Sequence, residues 1–298
     1  YWGVGNEAWK CGGNMRPEYY TDLYRHFTTY LKAPKNKRPK KIASDGFFDN
    51  TPWTDLLSQI SSNLDGISFH YYTYTGANFS QGSAIGFPRR EWVSLLANTL
   101  KVEGHLQSHI AILEENDPEG KIDLYVDEWG SWHKAEAGAQ LPSGTNPSTL
   151  YQQNTIRDAV LAGVNLNIFH TYAERIHMAN IAQMVNVLQA MILTDRSKMV
   201  LTPTYHVFEM HIPFHDSVSL PVDIVDSSVV QSGDIAIPSI SASAPISKEG
   251  RLVISLVNLD PEVDISLTAR VRGFEMGRIK GRVLSGQEMD SHNTFSKP

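Results

Sequence analysis

The feature that most constrains this chain is a change of rhythm along it. Over roughly the first two hundred residues, short β-rich runs alternate with longer helical patterns, the order that builds a parallel sheet with crossover helices. The β-rich runs are 1–5, 41–44, 66–73 (GISFHYYT), 122–126 and 166–170. Between them apolar residues recur at helical spacing, as in Tyr20, Leu23, Tyr24, Phe27 and Leu31, and later in Ile181, Val185, Leu188 and Ile192. Near residue 215 the helical patterns stop. Alternating runs at 218–225, 237–246, 252–258, 264–271 and 278–284, separated by Pro, Gly, Ser and Asp, predict an all-β sandwich. The expected architecture is therefore α/β over residues 1–214 and a β-sandwich over 215–298.

Composition narrows the function. With 41% hydrophobic residues the chain has mass enough for a large core, and a net charge of -6 without a basic excess argues against nucleic acid as partner. The basic run 32–41 (KAPKNKRPKK) lacks interleaved aromatics and reads as a solvated connection. No apolar run approaches the ~20 residues of a membrane span. Cys11 is the single cysteine, which excludes an intrachain disulfide and suits a reducing, cytoplasmic setting. Residues 3–8 lack the third glycine of a dinucleotide fingerprint, no P-loop is present, and neither His170/His177 nor His206/His211 has a metal-binding partner set. No cofactor and no metal are expected.

Two carboxylates stand where chemistry is expected. Glu7 ends the run Trp2-Gly3-Val4-Gly5-Asn6-Glu7, and Glu128 follows Tyr125-Val126-Asp127. In a parallel barrel the strand C-termini converge on one face, so residues far apart in sequence meet there. A facing pair of carboxylates suits glycoside hydrolysis, in which one protonates the leaving group while the other stays ionised as nucleophile or base. Trp129, Trp132, Tyr71 and Tyr72 supply apolar walls of the kind sugars stack on. A long loop carrying Gly138, Pro142, Gly144 and Pro147 follows the second carboxylate, and such loops are usually functional.

Five motifs then carry a resemblance. Residues 2–15 (WGVGNEAWKCGGNM), 69–72 (FHYY), 126–132 (VDEWGSW), 180–186 (NIAQMVN) and 202–210 (TPTYHVFEM) resemble, in order, the α-L-arabinofuranosidases of glycoside hydrolase family 51. The resemblance implies a partial (β/α)8 barrel, about strands four to eight, and a jelly-roll-like sandwich that is incomplete. It implies retaining double displacement, with Glu7 as acid/base and Glu128 as nucleophile, releasing terminal arabinofuranosyl groups from arabinoxylan, arabinan and their oligosaccharides. The Glu128 charge is expected to raise the Glu7 pKa.

For the remaining site residues the resemblance implies roles beside which plainer ones stay open. Asn6 matches a ligand of the sugar 2-hydroxyl or is a strand-end turn former. Tyr72 matches the residue holding the nucleophile or packs with its hydroxyl in water. Trp132 matches a subsite wall or is core, Gln183 a sugar ligand or part of a solvated helix face, and His70 lies near the pocket floor or is a satisfied core histidine. Family members include homo-oligomers and secreted as well as intracellular forms. Read as a piece beginning at barrel strand four, the chain alone is expected to be inactive. An endoglucanase or β-xylosidase with the same pair, and a non-catalytic carbohydrate-binding descendant, are the alternatives.

Overall fold

The computed structural model describes residues 1–34, 37–60, 63–134, 150–274 and 277–298. The chain divides into two units, one of Tyr1–Thr73, Leu100–Gly130 and Ile168–Ala182, the other of Tyr74–Thr99, Ser131–Asn167 and Gln183–Pro298. The long loop at 138–147 lies outside the described residues.

The first unit is built on one five-stranded sheet whose strands lie in sequence order: β1 (Trp2–Val4), β2 (Lys41–Ala43), β3 (Gly66–Thr73), β4 (Asp123–Ser131) and β5 (Ile176–Ile181). The pairs β1–β2, β2–β3 and β4–β5 run parallel. Helices α1 (Pro17–Thr28), α2 (Thr51–Ser58), α3 (Arg89–Leu100), α4 (Val102–Asn116) and α5 (Ile156–Thr171) fall between the strands in sequence. Sequential parallel strands joined through helices are the layout of part of a (β/α)8 barrel.

Local chemistry explains the element starts. Pro17 and Pro52 occupy the first turns of α1 and α2, where a missing N–H costs nothing. The sheet's inner layer is buried: Ile67, Phe69, Leu124, Tyr125, Val126 and Trp129 are all fully covered. At Gly66 even a methyl group would come within 2.1 Å of the Tyr125 ring, so close strand packing requires glycine there.

Two runs fold differently from their sequence pattern. The apolar stretch 166–170 is the end of α5, not a strand, because a short continuous apolar run does not separate a strand from a buried helix segment. The fifth strand is instead Ile176–Ile181. Residues 182–191 form bends and isolated β-bridges where a helix was expected. Asn186 and Leu188 take positive φ of 59° and 51°, and the Asn186 side chain bonds to Thr194 N and Oγ1 at 2.8 Å each. The aliphatic spacing there was coincidental, and turn chemistry prevailed.

The second unit holds the antiparallel strands. A hairpin pairs β6 (Ile192–Asp195) with β7 (Lys198–Leu201), and α6 (Pro203–His211) follows. Strands β8 (Val218–Leu220), β11 (Ile240–Ile246) and β12 (Ser255–Asn258) form a sheet in the order β12-β11-β8, and β9 (Val229–Ser232) pairs with β10 (Ile235–Pro238). Pro221, which lacks the donor a ladder needs, follows the last residue of β8 and cuts the expected 218–225 run short. The expected strands at 264–271 and 278–284 form no ladder, and almost all of their residues are exposed, so neither has a buried face to fix a register. Among the described residues no helix is long and apolar enough to cross a membrane.

Candidate active site

The residues after β1 form a tight, strained turn. Gly5 takes φ 100°, and Glu7, which is not glycine, takes φ 42° in the left-handed region that costs a side-chain-bearing residue free energy. The loop that follows locks this conformation. Lys10 N and Gly12 N donate to Glu7 O at 2.9 and 3.0 Å, and Gly12 lies so close to Asn6 O that a Cβ would sit 1.6 Å away. The Tyr20 hydroxyl donates to Val4 O and accepts from Ser44 N, tying the ends of β1 and β2 together. Ala8 N donates to Ser44 Oγ at 3.1 Å.

Strand β3 supplies one wall. Its side chains alternate faces, so Ser68, His70 and Tyr72 share a face while Phe69 and Tyr71 are buried on the other. Strand β4 faces them with Asp127 and Glu128. Adjacent strand residues normally point to opposite faces, but the β4–β5 register breaks between Val126 and Trp129, and this irregularity lets both carboxylates contact β3.

His70 is the centre of the resulting cluster. Its Nδ1 lies 3.1 Å from Glu7 Oε1 and 3.4 Å from Glu128 Oε2, and its Nε2 lies 3.4 Å from Asp127 Oδ1. Tyr72 Oη donates to Glu128 Oε1 at 2.7 Å, and Ser68 Oγ donates to Asp127 Oδ1 at 2.6 Å. Cys11 Sγ donates to Glu7 Oε2 at 3.0 Å. One oxygen of Glu7, one of Glu128 and a His70 ring nitrogen all lie within 4.8 Å of one another.

Electrostatics follow from this geometry and correct one expectation. Burial favours the neutral ring of His70, but hydrogen bonds to Asp127 and Glu7 and the Glu128 charge outweigh it, and the pKa is pushed up to about 10. Glu7 is held below the ordinary carboxylate value, first by the His70 hydrogen bond, against which burial works, and then by Cys11. The expected upward shift from Glu128 does not occur, because an imidazolium stands between the two carboxylates.

A base with a raised pKa stabilises the folded state fully below its ordinary value of 6.5, and that contribution is lost as pH rises towards 10. The His70 Cε1 proton resonance is therefore expected to titrate near pH 10. A midpoint near 6.5 would contradict the carboxylate cage.

The other expected residues are placed as follows. Asn6 is exposed in the turn beside Glu7. Trp132 and Gln183 belong to the second unit, where the Trp132 ring stacks on Tyr74 at 5.8 Å and 22°. Gln183 is exposed in the segment after β5, not on a helix, and its N–H donates to Val187 O at 3.3 Å.

Sequence reasoning gave no role to Asp127, Ser68, Cys11 or Asp45. Asp127 reaches His70, and Ser68 reaches Asp127, through the β4 irregularity, which no local pattern announces. Asp45 is fully buried, and burial pushes its carboxyl well above the usual range. It lines, with Glu7, Ser68 and His70, a narrow recess. Its position just after a β-rich run is the same signal that marked Glu7.

Comparison with known proteins places the chain in a family. Residues 127–298, more than half of the chain, match the model of the α-L-arabinofuranosidase C-terminal domain. The chain is 42% identical over its whole length to an intracellular exo-α-L-arabinofuranosidase of Bacteroides ovatus, and covers 57% of that protein. It is 28% identical over 92% of its length to an intracellular exo-α-(1→5)-L-arabinofuranosidase of Halalkalibacterium halodurans, covering 55% of it. The crystal structure of the GH51 arabinofuranosidase from Xanthomonas axonopodis pv. citri superposes with a TM-score of 0.90 at 41% identity, over 99% of this chain and 59% of that one. The chain thus spans a little over half the length of these relatives. Through its C-terminal domain match and its partial (β/α)8 sheet, the chain belongs to the α-L-arabinofuranosidases of glycoside hydrolase family 51.

Proposed function

We propose that the protein to which these residues belong is a retaining exo-α-L-arabinofuranosidase. It would act inside the cell on terminal arabinofuranosyl groups of arabinoxylan, arabinan and arabino-oligosaccharides. The observation that carries this reading is the spacing of Glu7 and Glu128, whose facing oxygens lie within 4.8 Å. Retaining glycosidases hold their two carboxyl groups about 5–5.5 Å apart, whereas inverting ones leave about 6.5–9.5 Å for a water.

In the proposed reaction Glu128 attacks the anomeric carbon while Glu7 protonates the departing glycosidic oxygen. Glu7 then takes a proton from the incoming water as the glycosyl–enzyme bond breaks. Tyr72 occupies one oxygen of Glu128 and leaves the other to attack. The proton Glu7 delivers is held at rest by the hydrogen bond from His70 Nδ1, and its shift onto Oε1 neutralises both groups as sugar displaces water. Asn6 would hydrogen-bond the sugar 2-hydroxyl, Trp132 would wall a subsite, and Gln183 would bind a sugar hydroxyl. The division into a barrel part at 1–214 and a sandwich part at 215–298 belongs to the same proposal.

Hydrolysis rates on nitrophenyl α-L-arabinofuranoside, β-D-glucoside and β-D-xyloside test it. A marked preference for the arabinofuranoside is expected. Preference for either pyranoside would overturn the substrate assignment.

A further inference from the structure

The cluster around His70 has the donor types, spacing and support of a metal centre as well as of a glycosidase pair. We infer that Glu7, His70 and Glu128 form an inhibitory binding site for Zn²⁺. This goes beyond the hydrolytic reading, for the metal takes no part in glycoside cleavage and occupies the groups that perform it.

The spacing matches a tetrahedral ion. Two ligands about 2.0–2.1 Å from a tetrahedral Zn²⁺ stand about 3.3–3.4 Å apart. Nδ1 of His70 lies 3.1 Å from Glu7 Oε1 and 3.4 Å from Glu128 Oε2. Carboxylate oxygen and imidazole nitrogen are ligands zinc takes readily. Zinc entry displaces the Nδ1 proton to solvent, so that His70 binds as a neutral ring.

Support behind the ligands distinguishes this from a chance acidic cluster. A zinc-binding histidine characteristically gives its other ring nitrogen to a carboxylate. His70 does so through Nε2, 3.4 Å from Asp127 Oδ1, and Asp127 is itself held by Ser68 at 2.6 Å. The second oxygen of Glu128 is fixed by Tyr72 at 2.7 Å, which leaves Oε2 towards His70. A further buried carboxyl lines the same recess. Asp45 lines it with Glu7 and His70, and its Oδ2, 3.9 Å from His109 Nδ1, has no hydrogen-bond partner among the described residues.

Calorimetric titration of the protein with Zn²⁺, with Mg²⁺ as control, tests the site without any substrate. One Zn²⁺ per chain is expected, bound at least a hundredfold more tightly than Mg²⁺. Glu128→Gln is expected to weaken zinc at least tenfold, and Asp127→Asn, which touches no metal, about 10–100-fold. Loading with Co²⁺ is expected to give the visible d–d bands of a tetrahedral ion, which Glu128→Gln weakens. No saturable zinc binding, equal affinity for Mg²⁺, unchanged affinity in a folded Glu128→Gln protein, or no such bands would each overturn the inference. Competition by L-arabinose reads the hydrolase proposal separately: zinc binding that arabinose leaves untouched would stand while the sugar reading fell.

Discussion

Glu128→Ala is expected to lower kcat on every arabinofuranoside by about 10⁴-fold or more, because the group that forms the covalent intermediate is removed from a set that acts as a unit. The loss should be the same for good and poor leaving groups, since neither reacts without a nucleophile. The fold is expected to persist. Glu128 is only part-buried, and the apolar residues flanking it in β4, Val126 and Trp129, carry the packing. Azide supplied to this variant should enter from the face Glu128 vacates and yield the β-configured arabinofuranosyl azide. Kinetics with nitrophenyl and methyl arabinofuranosides check the loss, and NMR of the azide product checks the face. A variant retaining a tenth of the parent rate would remove Glu128 from the nucleophile role.

Glu7→Ala should behave in the opposite way with respect to leaving group. Protonation of the departing oxygen by a positioned acid contributes typically ~10²–10⁴-fold, and this contribution matters only where the leaving group needs it. Glycosylation by alkyl arabinofuranosides is therefore expected to slow by about that factor. That by a dinitrophenyl arabinofuranoside, which departs as a stable anion, should change less than about tenfold. Azide should then accelerate the second step and give the α-configured azide, because it attacks the glycosyl-enzyme without base assistance. Equal losses for the two substrates would refute the acid assignment. The two variants thus differ in slope against leaving-group pKa and in the configuration of the azide formed.

Much of this arrangement was legible in the amino-acid sequence, for identifiable reasons. The GISFHYYT run is β3 residue for residue, because its aromatic and β-branched content and flanking turns leave a strand as the consistent reading. Glu7 and Glu128 stood out because each closes or follows such a run in a parallel fold. What failed were patterns that two structures share. Leu166 to His170 is as apolar as a buried strand, yet it is the last part of a helix buried on most sides. The aliphatic spacing from Ile181 to Ile192 mimicked a helix until Asn186 turned the chain.

The electrostatics of the site were less legible still. Two nearby carboxylates alone imply a raised pKa on one of them. The direction at Glu7 reverses because His70, two residues along β3 from Tyr72, places its ring between the pair. That placement depends on the β4 irregularity that turns Asp127 and Glu128 to the same side, a feature of hydrogen-bond register and not of residue type. The strained backbone at Glu7 has the same character, since Gly5 and Gly12 permit the turn but nothing local shows that the carboxylate would bear a φ of 42°.

The central claim is that Glu7 and Glu128 act across a narrow gap by double displacement. Proton NMR of the sugar released in the first turnovers, before mutarotation, measures this directly. Release of arabinofuranose in the α configuration is the expected result, and first appearance of the β anomer would contradict it.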